Sequence, residues 1–198
     1  MPSESILPVK LQPPGTGLPA LELAFARVHA RITWPLTSQA AALRRFKCEA
    51  DTILSLARRV PAQQGRVRVL IDRILGIEDS SRYWSVFMVI DHLRIVDTGI
   101  AEILEALSHD RPYPTEVRIQ DVKPRVDAGP EAIEDFIKAV AEYGATVHRI
   151  GKLRGRLRHA HPWFGPMTAH DWHCLAAGHH WIHRRQLERI QRRLMNEG

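Results

Sequence analysis

Four long stretches of this chain repeat apolar residues at the 3.6-residue period of a helix, and no stretch alternates long enough for a convincing strand. Ser38, or Thr37 before it, caps the first, which runs to about Arg59 with Leu43, Phe46, Ala50, Ile53, Leu54 and Ala57 on one face. The second opens at Ser80 or Ser81 and reaches about Leu107, its face reading Val89, His92, Val96, Ile100, Ile103, Leu107. The third starts at Gly129-Pro130 and is expected to run to about His159 through Ile133, Phe136, Ile137, Val140, Tyr143, Val147 and Ile150. The fourth, capped by Thr168, extends to about Met195, its face carrying Trp172, Leu175, His179, His183, Gln186, Leu187, Ile190 and Leu194. Four amphipathic helices of this length specify an all-α four-helix bundle.

The remaining segments are shorter. Met1 to Pro19 holds five prolines and reads as an extended or disordered arm, leaving 20–198 as a single domain. Leu21, Ala24, Phe25 and Val28 predict an additional N-terminal helix that ends near Trp34-Pro35. Val67 to Leu75 is expected to form a short helix stopped by Gly76. His109 to Gly129 has no helical period and reads as a long loop with room for one short strand. His180 lies off the inner stripe of the last helix and is expected at a bundle edge.

Hydrophobic residues make up 44% and charged residues 25%, which excludes collagen, mucin and wholesale disorder. No apolar run approaches the ~20 residues of a membrane span, and Met1 to Lys10 lacks a signal-like apolar segment. Cys48 and Cys174 form no CxxC pair, and the expected compartment is the reducing cytoplasm. The formal net charge is +6, and from Val147 onward ten basic residues face three acidic ones. A basic tail suits nucleic acid or an anionic ligand, or is simply a solvated helix face. The Arg154, Arg156, Arg158 run has no interleaved aromatics to stack on bases.

His179 and His183 are four apart on a helix, so their rings project from one face a turn apart. That spacing can hold one divalent ion at ~2.0–2.1 Å per bond. His92 sits on the core stripe of another long helix, where a bundle can bring it to the pair. Three neutral imidazoles with an open position describe a catalytic type of metal site. Gln186, one turn further along the stripe, is the candidate for contacting a cofactor, ligand or substrate. Asp91 points about 100° away from His92 on an ideal helix, and no general base stands out. His159, His161, His170 and His173 sit where they could line a pocket mouth. Arg184 and Arg185 could meet an anionic substrate, pair with an acid, or carry surface charge.

The C-terminal stretch resembles the signature of the DinB-like superfamily, which includes the YfiT-type metal-dependent hydrolases. The match runs through His161-Pro162, Gly165 and Thr168 to His179, His183, Arg184 and Gln186, and the earlier YWSVFMVIDHL places the first ligand on His92. The resemblance covers roughly Leu36 to Met195. It implies an up-down-down-up bundle whose histidine triad binds zinc, nickel or a related ion. It further implies chemistry on a small molecule, as a hydrolase or a thiol S-transferase, and homodimers are frequent among its members. Trp34, Trp163 and Trp181 are candidates for such a dimer surface.

Three functions therefore compete. One is a metal-dependent enzyme acting on a small, anionic or thiol-containing substrate. The second is a non-enzymatic bundle that binds a metal or small molecule. The third is nucleic-acid binding, for which no helix-turn-helix or zinc-finger spacing speaks.

Overall fold

A computed structural model describes residues 10–153 and 155–196. Its helices are α1 (Ala20–Thr33), α2 (Gln39–Arg58), the single turn α3 (Ala62–Gly65), α4 (Val86–Ser108), α5 (Glu131–Ile150) and α6 (Ala169–Asn196). Two small antiparallel ladders join them: β1 (Val69–Leu70) with β2 (Tyr83–Trp84), and β3 (His159–His161) with β4 (Gly165–Met167). No helix among the described residues is long and apolar enough to cross a membrane.

Local chemistry sets the helix starts. Ser38 Oγ accepts from the Ala41 amide and Ser85 Oγ from the Met88 amide, each satisfying a donor that the first turn leaves free. At α6, Asp171 accepts from both the Thr168 amide and hydroxyl while Thr168 Oγ1 accepts from the Asp171 amide, a reciprocal capping box. Two expected boundaries are corrected. α4 begins at Val86, because Asp79–Ser81 is a 3-10 turn followed by β2. α5 ends at Gly151, whose φ of 75° turns the chain out of the helix, rather than near His159. The short helix expected over Val67 to Leu75 is instead the ladder strand β1 and an irregular turn, and the long loop holds a 3-10 turn (Ile119–Val122) rather than a strand.

The pairing of side chains gives the helix directions. Gln39 O meets His173, Phe46 O meets His180, Glu49 meets Arg184 and Leu56 O meets Gln191, so numbers rise together and α2 runs parallel to α6. Against α6 the order reverses for α4, where His92 meets His183 and Asp97 meets His180. It reverses for α5 too, where Phe136 packs on His180 and Tyr143 on His173. The bundle is therefore up-down-down-up. Because α4 and α5 are parallel neighbours, the chain between them must travel back along the bundle, which is why residues 109–130 form a long crossover. Apolar residues of all four helices fill the interior, among them Phe46, Ile53, Leu93, Leu104, Phe136 and Leu187.

The arm expected over residues 1–19 lies outside the described residues up to residue 9; from Lys10 on it is extended and anchored. The Gln12 amide donates to Asp79 Oδ2 at 2.8 Å, and the Gly15 and Gly17 amides donate to Glu78 Oε1 at 3.0 and 2.9 Å. The other Glu78 oxygen accepts from Ser80 Oγ and Lys123 Nζ. Burial alone would raise the Glu78 pKa, but its bonds from Ser80, Gly17 and Lys123 outweigh that and hold it below the usual value. The sign follows. A carboxyl with a depressed folded pKa stabilises the fold above its unfolded pKa of about 4.3, and that contribution is lost as pH falls through the lower folded value. Acidification below the ordinary carboxylate range should therefore release the arm before the bundle melts. Hydrogen exchange at the Gly15 and Gly17 amides would accelerate there while core amides stay protected.

Candidate metal centre

Three imidazoles meet where α4 faces α6. His92 lies in the second turn of α4, and His179 and His183 lie on consecutive turns of α6. One ring nitrogen from each lies within 4.8 Å of the others, and His92 Nε2 is 3.2 Å from His179 Nε2. The ring centroids are 4.4 to 5.0 Å apart, the planes inclined at about 60°. The structure thus brings together the three histidines singled out in the sequence.

Hydrogen bonds fix two of the tautomers. His92 Nδ1 lies 2.6 Å from the carbonyl oxygen of Val122, which only accepts, so Nδ1 carries the proton and Nε2 presents a bare lone pair. The acceptor comes from the crossover, which passes His92 on its way back along the bundle. His183 Nδ1 donates to Gln186 Oε1 at 2.7 Å, and Gln186 Nε2 donates to Ser81 O at 2.7 Å. The Ser81 carbonyl orients the amide, and the amide in turn leaves His183 Nε2 bare. His179 Nδ1 is buried without a hydrogen-bond partner among the described residues.

Burial keeps the rings neutral. It pushes the His92 pKa down to about 4 against the raising effect of the Val122 bond, and holds His179 and His183 well below their ordinary value, with the neighbouring rings adding to the effect. Trp84 packs against His92 and stacks on His183, and Lys123 Nζ sits 5.6 Å above the same indole. His92 and His183 are buried and His179 is half-buried, the least covered of the three residues.

This donor set fits a divalent ion. Two nitrogens bonded to one tetrahedral ion at ~2.0–2.1 Å lie roughly 3.3–3.4 Å apart, close to the His92–His179 separation. Two bare Nε2 atoms with their opposite nitrogens anchored also match the outer hydrogen bonding of metal-binding histidines. His92, His179 and His183 could hold a metal ion, and no carboxylate among the described residues joins them. Gln186 does not reach into the cluster with a free group; both ends of its amide are committed to His183 and Ser81. Gln186→Leu is expected to lower metal affinity by about 10–100-fold. It should also cost about 1–3 kcal/mol, because Ser81 O loses its donor, without unfolding the bundle. Metal titration and urea unfolding of the same variant would check both.

Other sequence candidates take different places. His180 is not at an edge: it is fully buried, with Nε2 at 2.9 and 3.0 Å from the two oxygens of Asp97 and Nδ1 at 3.3 Å from Phe46 O. Its ring stacks on Phe46. Asp97, also fully buried, was not singled out by the sequence; burial raises its pKa and His180 opposes that shift. His173 accepts from the Tyr143 hydroxyl at 2.8 Å and donates to Gln39 O, which makes it structural. His170 bonds to Trp34 O, and His161 Nδ1 accepts from the Trp163 amide. Asp91 bonds to Arg94 and Arg125. Arg184 pairs with Glu49 and Glu188, and Arg185 lies over the Trp181 ring. A groove of about 500 Å³ between α4 and α5, lined by Glu102, Tyr143 and Arg149 among others, shares no residue with the triad.

Fold and site together define a four-helix bundle with a buried three-histidine cluster. The chain is similar to TT2238, a four-helix bundle protein of known crystal structure, with a TM-score of 0.56 and 18% sequence identity over 76% of this chain and 98% of that one. No protein-family model and no curated protein matches the chain.

Proposed function

We propose that this chain is a metal-dependent enzyme of the DinB-like type, in which His92, His179 and His183 hold one zinc or nickel ion. The observation that carries the reading is the pair of fixed tautomers: Val122 and Gln186 each take an Nδ1 proton, leaving two bare Nε2 atoms beside the third ring. When bound, a divalent ion with only neutral ligands supplies an uncompensated positive charge that lowers the pKa of water or a thiol at its open position. The chain's own residues do the rest. Val122 and Gln186 orient the rings, Trp84 covers one side and excludes water, and half-buried His179 marks the side from which a small molecule enters. A neutral ligand set favours an anionic partner, which supports a small anionic or thiol-containing substrate in a hydrolase or thiol-transferase reaction.

Elemental analysis of protein purified without a histidine tag tests the reading. It should find roughly one divalent metal per chain, as expected for a site whose ligands converge. Absence of metal after purification, combined with no uptake of zinc or nickel in a titration, would refute it.

A further inference from the structure

Among the described residues, nothing covers one face of α1. Leu21, Phe25, Val28 and Ile32 are 88%, 75%, 55% and 59% exposed, and Leu36, just past the helix, is 82% exposed. Their spacing of four, three and four residues lines them along a single stripe of the helix. The opposite face, with Ala30 buried, docks on the body. There Glu22 pairs with Arg73 and accepts from the Gly76 amide, and Arg27 donates to Trp163 O. The helix is therefore held in place while its most hydrophobic side faces water. Trp34, Trp163 and Trp181, the other candidates for a contact surface, are half-buried against their own chain.

We propose that this stripe binds a second copy of this chain through an antiparallel α1–α1 contact about a two-fold axis. Two arguments select that occupant. The first is area. With Phe burying about 150–250 Å² and the aliphatic residues somewhat less, the exposed fractions amount to roughly 600 Å² per copy. Monomers rarely leave a larger apolar patch uncovered. Leu36 lies beyond the paired layers, so the four stripe residues of two copies remove roughly 900 Å² of apolar surface before flanking polar residues are counted, close to the ~1,000 Å² that a specific interface should clear. The second is self-complementarity. In an antiparallel pair centred between Ala26 and Arg27, Phe25 faces Val28 of the other copy and Leu21 faces Ile32, so every layer pairs a larger with a smaller or equal apolar residue. No other sequence is needed to fill the layers.

The full chain should sediment at twice the monomer mass. Phe25→Glu and Val28→Lys, each on the exposed face, should sediment as monomers with unchanged circular dichroism. Because position 25 of one copy faces position 28 of the other, an equimolar mixture of the two variants should recover the dimer mass. Three results would overturn the proposal. One is a monomeric wild-type chain, whether or not it adsorbs to lipid vesicles. Another is a dimer indifferent to both substitutions, which would place the interface elsewhere. The third is a mixture that stays monomeric, which would reject the antiparallel register.

Discussion

Replacing His92, His179 and His183 together by alanine is expected to abolish divalent-metal binding while leaving a helical protein that unfolds cooperatively. The core does not depend on the cluster. Phe46, Ile53, Ile90, Leu93, Leu104, Phe136 and Leu187 are essentially fully buried, and each such side chain contributes about 1.5–3 kcal/mol before conformational entropy is counted. A zinc finger, which has almost no core, unfolds when its ion is removed. Here the ligands sit on two helices already packed against each other along their length. Alanine is also the better helix former, which offsets part of the lost packing. Metal content should fall from roughly one equivalent to none. Chelation of the wild-type protein should lower its melting temperature by mass action and keep the transition cooperative. Loss of helicity on chelation, followed by circular dichroism, would mean that the ion holds the fold together and would remove the main support for a catalytic role.

The second large effect is expected away from the triad. Asp97→Ala should destabilise the bundle by about 3–5 kcal/mol, the usual consequence of removing one partner of a buried hydrogen-bonded charged pair. His180 donates toward Phe46 O through one nitrogen and shares a proton with Asp97 through the other, and both residues are fully buried. Without the carboxylate, its Nε2 is left in an apolar pocket between Phe46 and Phe136. Asp97→Asn keeps an acceptor oxygen and should cost less, about 1–3 kcal/mol. Urea midpoints for the two variants, at constant m-value, would order them. Equal stability of Asp97→Ala and wild type would show that the pair contributes nothing to the fold.

The four main helices were legible because each buries a stripe, and a stripe repeats every 3.6 residues in the sequence. The same logic brought His92 to His179 and His183. It failed where one stripe was too narrow a description. α6 packs against both α2 and α4 and meets α5 through His173 and His180, so its buried arc is wider than the face that carries His179 and His183. His180, one residue on, falls inside that arc rather than at an edge. Two-residue strands such as Val69–Leu70 leave no periodic trace at all. The overshoot of α5 has a similar origin: Leu153 and Leu157 prolong an apolar spacing after Gly151 has already turned the backbone. The crossover was recognisable as a long loop, but the role of Val122 was not, since a carbonyl oxygen has no signature in the residue type that bears it.

That last point bears on how such a centre would respond to mutational scanning. Two of its orienting acceptors, at Val122 and Ser81, belong to the main chain. Truncating Val122 to alanine leaves its oxygen in place, and truncating Ser81 removes only a hydroxyl that meets Lys123. A side-chain scan would score Val122 as silent and Gln186 as sensitive, although both do the same work on neighbouring rings. The vulnerable feature at position 122 is the path of the backbone. Sequences of this kind can therefore drift in residue type there, while an insertion or deletion between Ile119 and Val122 would withdraw the carbonyl that fixes the His92 tautomer.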